Sequence, residues 1–235
     1  MTTSAPQVIP YGVPALDVER LFVREGQVDC PAPHVAVDAG CVLRLNDGQY
    51  AFPEPPDLRA MTGAAAQLDC LREHLKRFCD LWARPPKLFL DRYFDFIADR
   101  VERNRAALKA RLARFGSLFD YRDWALSAPR PLPRAHLPVG AGVYCPVDMG
   151  FWLGDRMLAV LLAGSATPTG WDAERRAALE AAGVEIATLS VRDLGEEGVG
   201  CLDGSLPPGF DAFWDGEILP SSPFVGTSLG EIVRE

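Results

Sequence analysis

The chain has 235 residues and a mass of 25.6 kDa, with 48% hydrophobic and 24% charged side chains. That is enough to bury a core without staples, and it excludes collagen-like, coiled-coil and wholly disordered chains. A net charge of -8 argues against a generic nucleic-acid coat, and the most apolar window, Met157 to Ala163, is far short of the roughly 20 residues of a spanning helix, so no membrane partner is expected.

Residues 1–14 carry three prolines and few anchors, which predicts an irregular lead-in. With no basic start and no apolar run there, no secretory signal is expected. The six cysteines, at 30, 41, 70, 79, 145 and 201, lack CxxC spacing and read as reduced, mostly core thiols of a cytoplasmic protein. Residues 15–60 predict a small β element. Leu21 to Glu25 forms one strand, and Val42–Leu45 and Gln49–Phe52 flank Asn46-Asp47-Gly48, a strong hairpin signal that Pro53-Glu54-Pro55-Pro56 ends. Cys30, His34, Asp38 and Cys41 are potential zinc donors, but their spacing fits no standard site and core thiols are the better reading.

Two helices complete the first part, 15–127. The first spans about Gly63 to Ala83, with Leu68, Leu71, Leu75, Phe78, Cys79 and Trp82 at helical spacing, and Pro85-Pro86 breaks it. The second runs from about Lys87 to Phe115 and is closed by Gly116. Val101, Leu108, Leu112 and Phe115 form its packing stripe, and Arg100, Arg103, Arg111 and Arg114 form an adjacent cationic one. Trp82, Phe89, Tyr93, Phe94 and Phe96 are read as core rather than as a base-stacking platform. Residues 69–134 hold 15 basic and 9 acidic side chains, between acidic flanks. This block predicts either a solvated surface paired with the acidic segments or a phosphate-binding one.

Residues 128–138, APRPLPRAHLP, read as a stiff linker. The part that follows, 139–198, has the clearest pattern. Val143–Leu153 is a strand, Gly154-Asp155 a turn and Arg156–Leu162 a buried strand. Asp172–Ala182 is a helix with Asp172 as N-cap, Gly183 stops it, and Val184–Leu189 is the next strand. A helix between two strands predicts a crossover and a parallel pair in a mixed sheet. The tail, 199–235, is rich in Gly and Pro yet keeps Phe210, Phe213, Trp214 and Phe224, which predicts docking on its own domain or on a partner. The fold class is therefore α/β with an α+β N-terminal part: a small β element and two long helices, then a mixed sheet with hairpin, crossover helix and strand, and a wrapping tail.

Val147-Asp148-Met149-Gly150-Phe151-Trp152, the run Leu158 to Gly164, Asp172-Ala173-Glu174-Arg175-Arg176 and Ala182-Gly183-Val184-Glu185-Ile186 follow one another over about 140–195. In this order they resemble the PD-(D/E)XK nuclease-like superfamily, in particular very-short-patch-repair endonucleases and RAP domains. The resemblance implies a nuclease-like fold with an aspartate at the end of the first hairpin strand. It also implies carboxylates where Leu161 and Ala163 stand, and no lysine follows them. Such nucleases need two or more carboxylates around Mg²⁺. The leading expectation is thus a non-catalytic, degenerate nuclease-fold protein with no cofactor. It would bind nucleic acid or a protein partner through Arg100, Arg103, Arg111, Arg114, Phe213, Trp214 and Phe224. One alternative is a phosphodiesterase using Mg²⁺ or Mn²⁺ at a migrated site of Asp148, Asp172, Glu174 and Arg175. Against it, Asp172 reads as an N-cap, Glu174 as a first-turn acid and Asp148 as a strand-end residue bonded to backbone. Another alternative is an assembly or maturation factor that captures a peptide.

Other motifs carry no chemistry. The histidines, His34, His74 and His136, have no consistent carboxylate or thiol neighbour. Gly226-Thr227-Ser228-Leu229-Gly230 matches GxSxG, but no histidine follows it as the hydrolase order requires.

Overall fold

Met157 to Ala163 is apolar at every position, and such a strand needs cover on both faces. In the computed structural model this segment is central. The structure describes residues 7–12, 41–46, 49–51, 55, 57–80, 82–115, 119–140, 143–153, 156–164 and 169–206. A mixed sheet is ordered β4 (Leu132–Pro133), β7 (Met149–Trp152), β8 (Met157–Ala163) and β9 (Glu185–Ser190). The β7–β8 pair is an antiparallel hairpin, and β9 runs parallel to β8, reached through helix α4 (Thr169–Ala181). The expected hairpin, crossover helix and parallel strand are present. Gly183, at a φ of +74°, ends α4, and Val184 N–H donates to the Leu179 carbonyl at 3.0 Å.

The alternation of β8 divides the core. Leu158, Val160 and Leu162 join one apolar cluster and Met157, Ala159 and Leu161 the other. The first cluster is closed by helices α1 (Ala64–Lys76), α2 (Arg84–Arg103) and α3 (Arg105–Leu112) and by a 3-10 turn over Tyr121–Ser127. Phe89, Tyr93, Phe96 and Phe151 are buried there, with the Tyr93 and Phe151 rings 5.3 Å apart. Burying each such ring contributes about 1.5–3 kcal/mol. The second cluster lies under α4, with Leu179 against residues of the antiparallel pair β5 (His136–Gly140) and β6 (Val143–Pro146). The helices of the first part and the mixed sheet of the second therefore share one core. No helix among the described residues is long and apolar enough to cross a membrane.

Several expectations are corrected. Residues 1–14 contain a strand, β1 (Gln7–Tyr11), with Ile9 and Tyr11 buried; it pairs antiparallel with β2 (Cys41–Asn46), which in turn pairs with β3 (Gln49–Ala51). The first helix ends at Lys76 rather than Ala83, because 77–79 tighten into i→i+3 turns. Those turns bury Cys79 and leave Trp82 88% exposed, so Trp82 is not core. Pro85 and Pro86 start α2, where no intrahelical N–H is needed. The second helix is divided at Asn104, whose side-chain amide and backbone N–H both donate to the Arg100 carbonyl. Residues 128–138 are extended but packed, with Leu132, Ala135 and Leu137 buried in β4, β5 and the turn between them. Val143–Leu153 is two strands in different sheets. The chain turns between them, where Val147 N–H donates to the Ala135 carbonyl and Arg134 N–H to the Asp148 carbonyl. After β9, helix α5 (Val191–Glu196) and a 3-10 turn over Gly198–Leu202 bring Leu194, Leu202 and Leu206 onto α2's cluster.

Candidate functional site

The β7–β8 ladder ends at Met149 opposite Val160, and Asp148 lies one residue beyond. Its carboxylate Oδ2 accepts a hydrogen bond from Leu162 N–H at 2.8 Å. The side chain thereby extends the ladder where β7's backbone has turned away. A partly buried carboxylate held by a backbone N–H has a structural duty at the strand end.

Leu161 faces the second cluster and is 5% exposed, packed among residues of α4, β5 and β6. Ala163 is exposed at the end of β8. On α4, Arg175 reaches back to the sheet: a guanidinium Nη1 donates to the Pro146 carbonyl at 3.5 Å, and the Cys145 thiol lies 3.9 Å from the Arg175 carbonyl. Burial pushes the Cys145 thiol pKa up, partly offset by Arg175. Glu174 is exposed. Asp172 is the fourth residue of α4, inside the first turn rather than at the N-cap, and its side chain lies outside the described residues. Arg175 and Asp148 thus flank Pro146 from two elements. The residues do not fit the Mg²⁺ or Mn²⁺ that the resemblance implies, because an octahedral oxygen shell would need Leu161 and Ala163 to be ligands. Among the described residues no group of three His, Cys, Asp or Glu is placed to hold a metal.

The cationic stripe divides. Arg103 pairs with Asp99 one turn back and with Asp203, 100 residues on, at 3.2 Å; Arg100 lies 3.9 Å from the same Asp203 carboxylate. Arg92 donates to the Leu194 carbonyl at 3.0 Å. These arginines bind the end of the chain's own core to α2. Arg111 lies over the Trp124 ring at 5.9 Å, and the side chain of Arg114 is outside the described residues. Further up, Arg72 and Lys76 on α1 pair with Asp91 on α2. Phe210, Phe213, Trp214, Phe224 and the Leu21–Glu25 run lie outside the described residues, as do Cys30, His34 and Asp38; Cys41 is in β2.

Sequence reasoning passed over a cluster around Tyr121. Its hydroxyl donates to Glu102 at 2.7 Å, and Arg122 also reaches that carboxylate at 3.2 Å. Together these hold the Glu102 carboxyl below its usual range. Three cations, those of Arg105, Lys109 and Arg122, lie 5.0 to 5.2 Å from the Tyr121 ring centre. The sequence signal was Arg105 and Lys109 four residues apart in a helix with no acid in its first turn.

An apolar cavity of ≈ 20 Å³ lies between α1, α2 and β4, lined by Leu71, Leu75, Phe94, Ile97 and Leu132 with His74 at its edge. It has room for about one water molecule. No family model matches the chain, and no curated protein or solved structure shows significant similarity to it.

Proposed function

We propose that the chain is a non-catalytic binding protein built on a nuclease-like α/β unit, and that its partner is a nucleic acid. The observation that carries the reading is at the strand ends. The hairpin, crossover helix and parallel strand follow the order of that superfamily, while Leu161 is in the core and the Asp148 carboxylate bonds to Leu162 N–H. On this reading the order of elements is retained, while one expected donor position is a buried leucine and the other, Ala163, is an exposed alanine. The basic surplus of residues 69–134 favours a phosphate backbone as the ligand.

The test is incubation of the full chain with end-labelled single- and double-stranded DNA and RNA, with Mn²⁺ present. Binding at low salt with every labelled strand intact supports the reading. Shortened strands, with shortening lost in Asp148→Asn, would refute the non-catalytic part. No binding at low salt would refute the nucleic-acid part. Capture of a protein partner would then be the surviving function, and Trp82, 88% exposed in the α1–α2 turn, is the observation that favours it.

A further inference from the structure

Five cations of the helical layer have carboxylate partners of their own. Arg72, Lys76, Arg100, Arg103 and Arg122 all form ion pairs with Asp or Glu. Arg105 and Lys109 differ. Both are exposed on α3, and among the described residues neither has an ion pair. The acids nearby are engaged elsewhere. Glu102, close enough to Arg105 to feel its charge, is held by Tyr121 and Arg122. Asp120 accepts from Arg122 N–H and Asp123 from Asp120 N–H, a capping box that starts the 3-10 turn.

The two cations also break two local rules. They repel each other at i,i+4, and Arg105 opens a helix, where the dipole disfavours positive charge. The Tyr121 ring, itself 4% exposed, holds both at 5.2 Å from its centre and fixes them side by side. Two adjacent cations, kept against local preference and without an ion-pair partner among the described residues, are arranged for an external one.

We propose that the exposed face of α3, centred on Arg105 and Lys109 over Tyr121, docks the phosphate backbone of a nucleic acid. The inference rests on the binding reading above and names its surface. The contact reads charge and not sequence, because the ring lies beneath the cations and is not open to bases.

The experiment is fluorescence anisotropy of the full chain with a labelled DNA duplex between 50 and 200 mM salt, for the native chain and for R105Q/K109Q. Losing two phosphate contacts lowers the salt slope by about 1.8, so the native chain weakens about 12-fold more than the variant over that range. R105K/K109R should restore the native slope, which a merely structural role would not require. If the native chain binds and R105Q/K109Q keeps its slope with an unchanged melting temperature, the surface is elsewhere and only this inference falls. If the native chain binds no duplex, single-stranded DNA or RNA at 50 mM salt, both readings fall. Displacement of the duplex by polyglutamate at matched charge would also overturn the proposal, in favour of an acidic protein.

Discussion

Replacing Asp148 separates a structural carboxylate from a catalytic one. In Asp148→Ala the Leu162 N–H loses the acceptor 2.8 Å away, at a residue 4% exposed. A hydrogen bond to a charged group contributes about 1.5–3 kcal/mol, and an orphaned buried donor costs a similar amount. For a chain of this size each kcal/mol moves the melting temperature by about 2–4 °C, which gives a fall of about 3–12 °C. Asp148→Asn keeps an oxygen acceptor and loses only the charge, so it should fall by roughly half as much. Thermal unfolding at pH 7, followed by circular dichroism, measures both. A melting temperature for Asp148→Ala equal to or above that of the native chain would refute the argument. The carboxylate would then be held at a cost to stability, as in a reactive site.

Three further outcomes are expected. A Cβ at Gly150 would stand 2.8 Å from the Ala135 Cβ and 3.3 Å from the Leu137 Cδ2, so Gly150→Ala should cost about 1–3 kcal/mol in urea unfolding. Burial pushes the Cys79 thiol up to about 11 from an ordinary 9.0, so the unfolded chain ionises first as pH rises. Stability is fully present below pH 9 and is lost as pH rises towards 11, by about 2–3 kcal/mol, a loss Cys79→Ala should lack when alkaline stability curves are compared. The Arg103–Asp203 pair is half exposed, and Asp203→Asn should change unfolding free energy by less than about 1 kcal/mol, and by nothing measurable at high salt.

The mixed sheet was legible because its signals are local. An unbroken apolar run gave β8, Gly183 closed α4, and the spacing of Leu68, Leu71 and Leu75 gave α1. What was missed depends on distant partners. Pro146 is a local mark within Val143–Leu153, and β6 ends on it, but the place of Val147 and Asp148 comes from hydrogen bonds to Ala135 and Arg134, in the turn between β4 and β5. Pro133 and Pro138 argued for a linker, yet proline is tolerated on short edge strands, where β4 and β5 lie. Trp82 continued a periodicity past the end of its helix. At the candidate site, the place of Asp148 beside the hairpin was readable, and so was the apolar character of β8 at Leu161. The pairing of Arg100 and Arg103 with Asp203 was not, since no local pattern links residues 100 positions apart.

That same span sets the order of events at the ribosome. Phe89, Tyr93 and Phe96 on α2 share their cluster with Phe151, made about 60 residues later, and with Leu194 and Leu202, made about 100 residues later. At about 5–20 residues per second, the 100 residues between Arg103 and Asp203 take about 5–20 s to translate. Until that interval ends, the aromatic face of α2 lacks part of the cover it has in the folded chain. Hydrophobic surface left open in this way favours aggregation of an unfinished chain, and slowing translation between codons 104 and 203 lengthens the exposure.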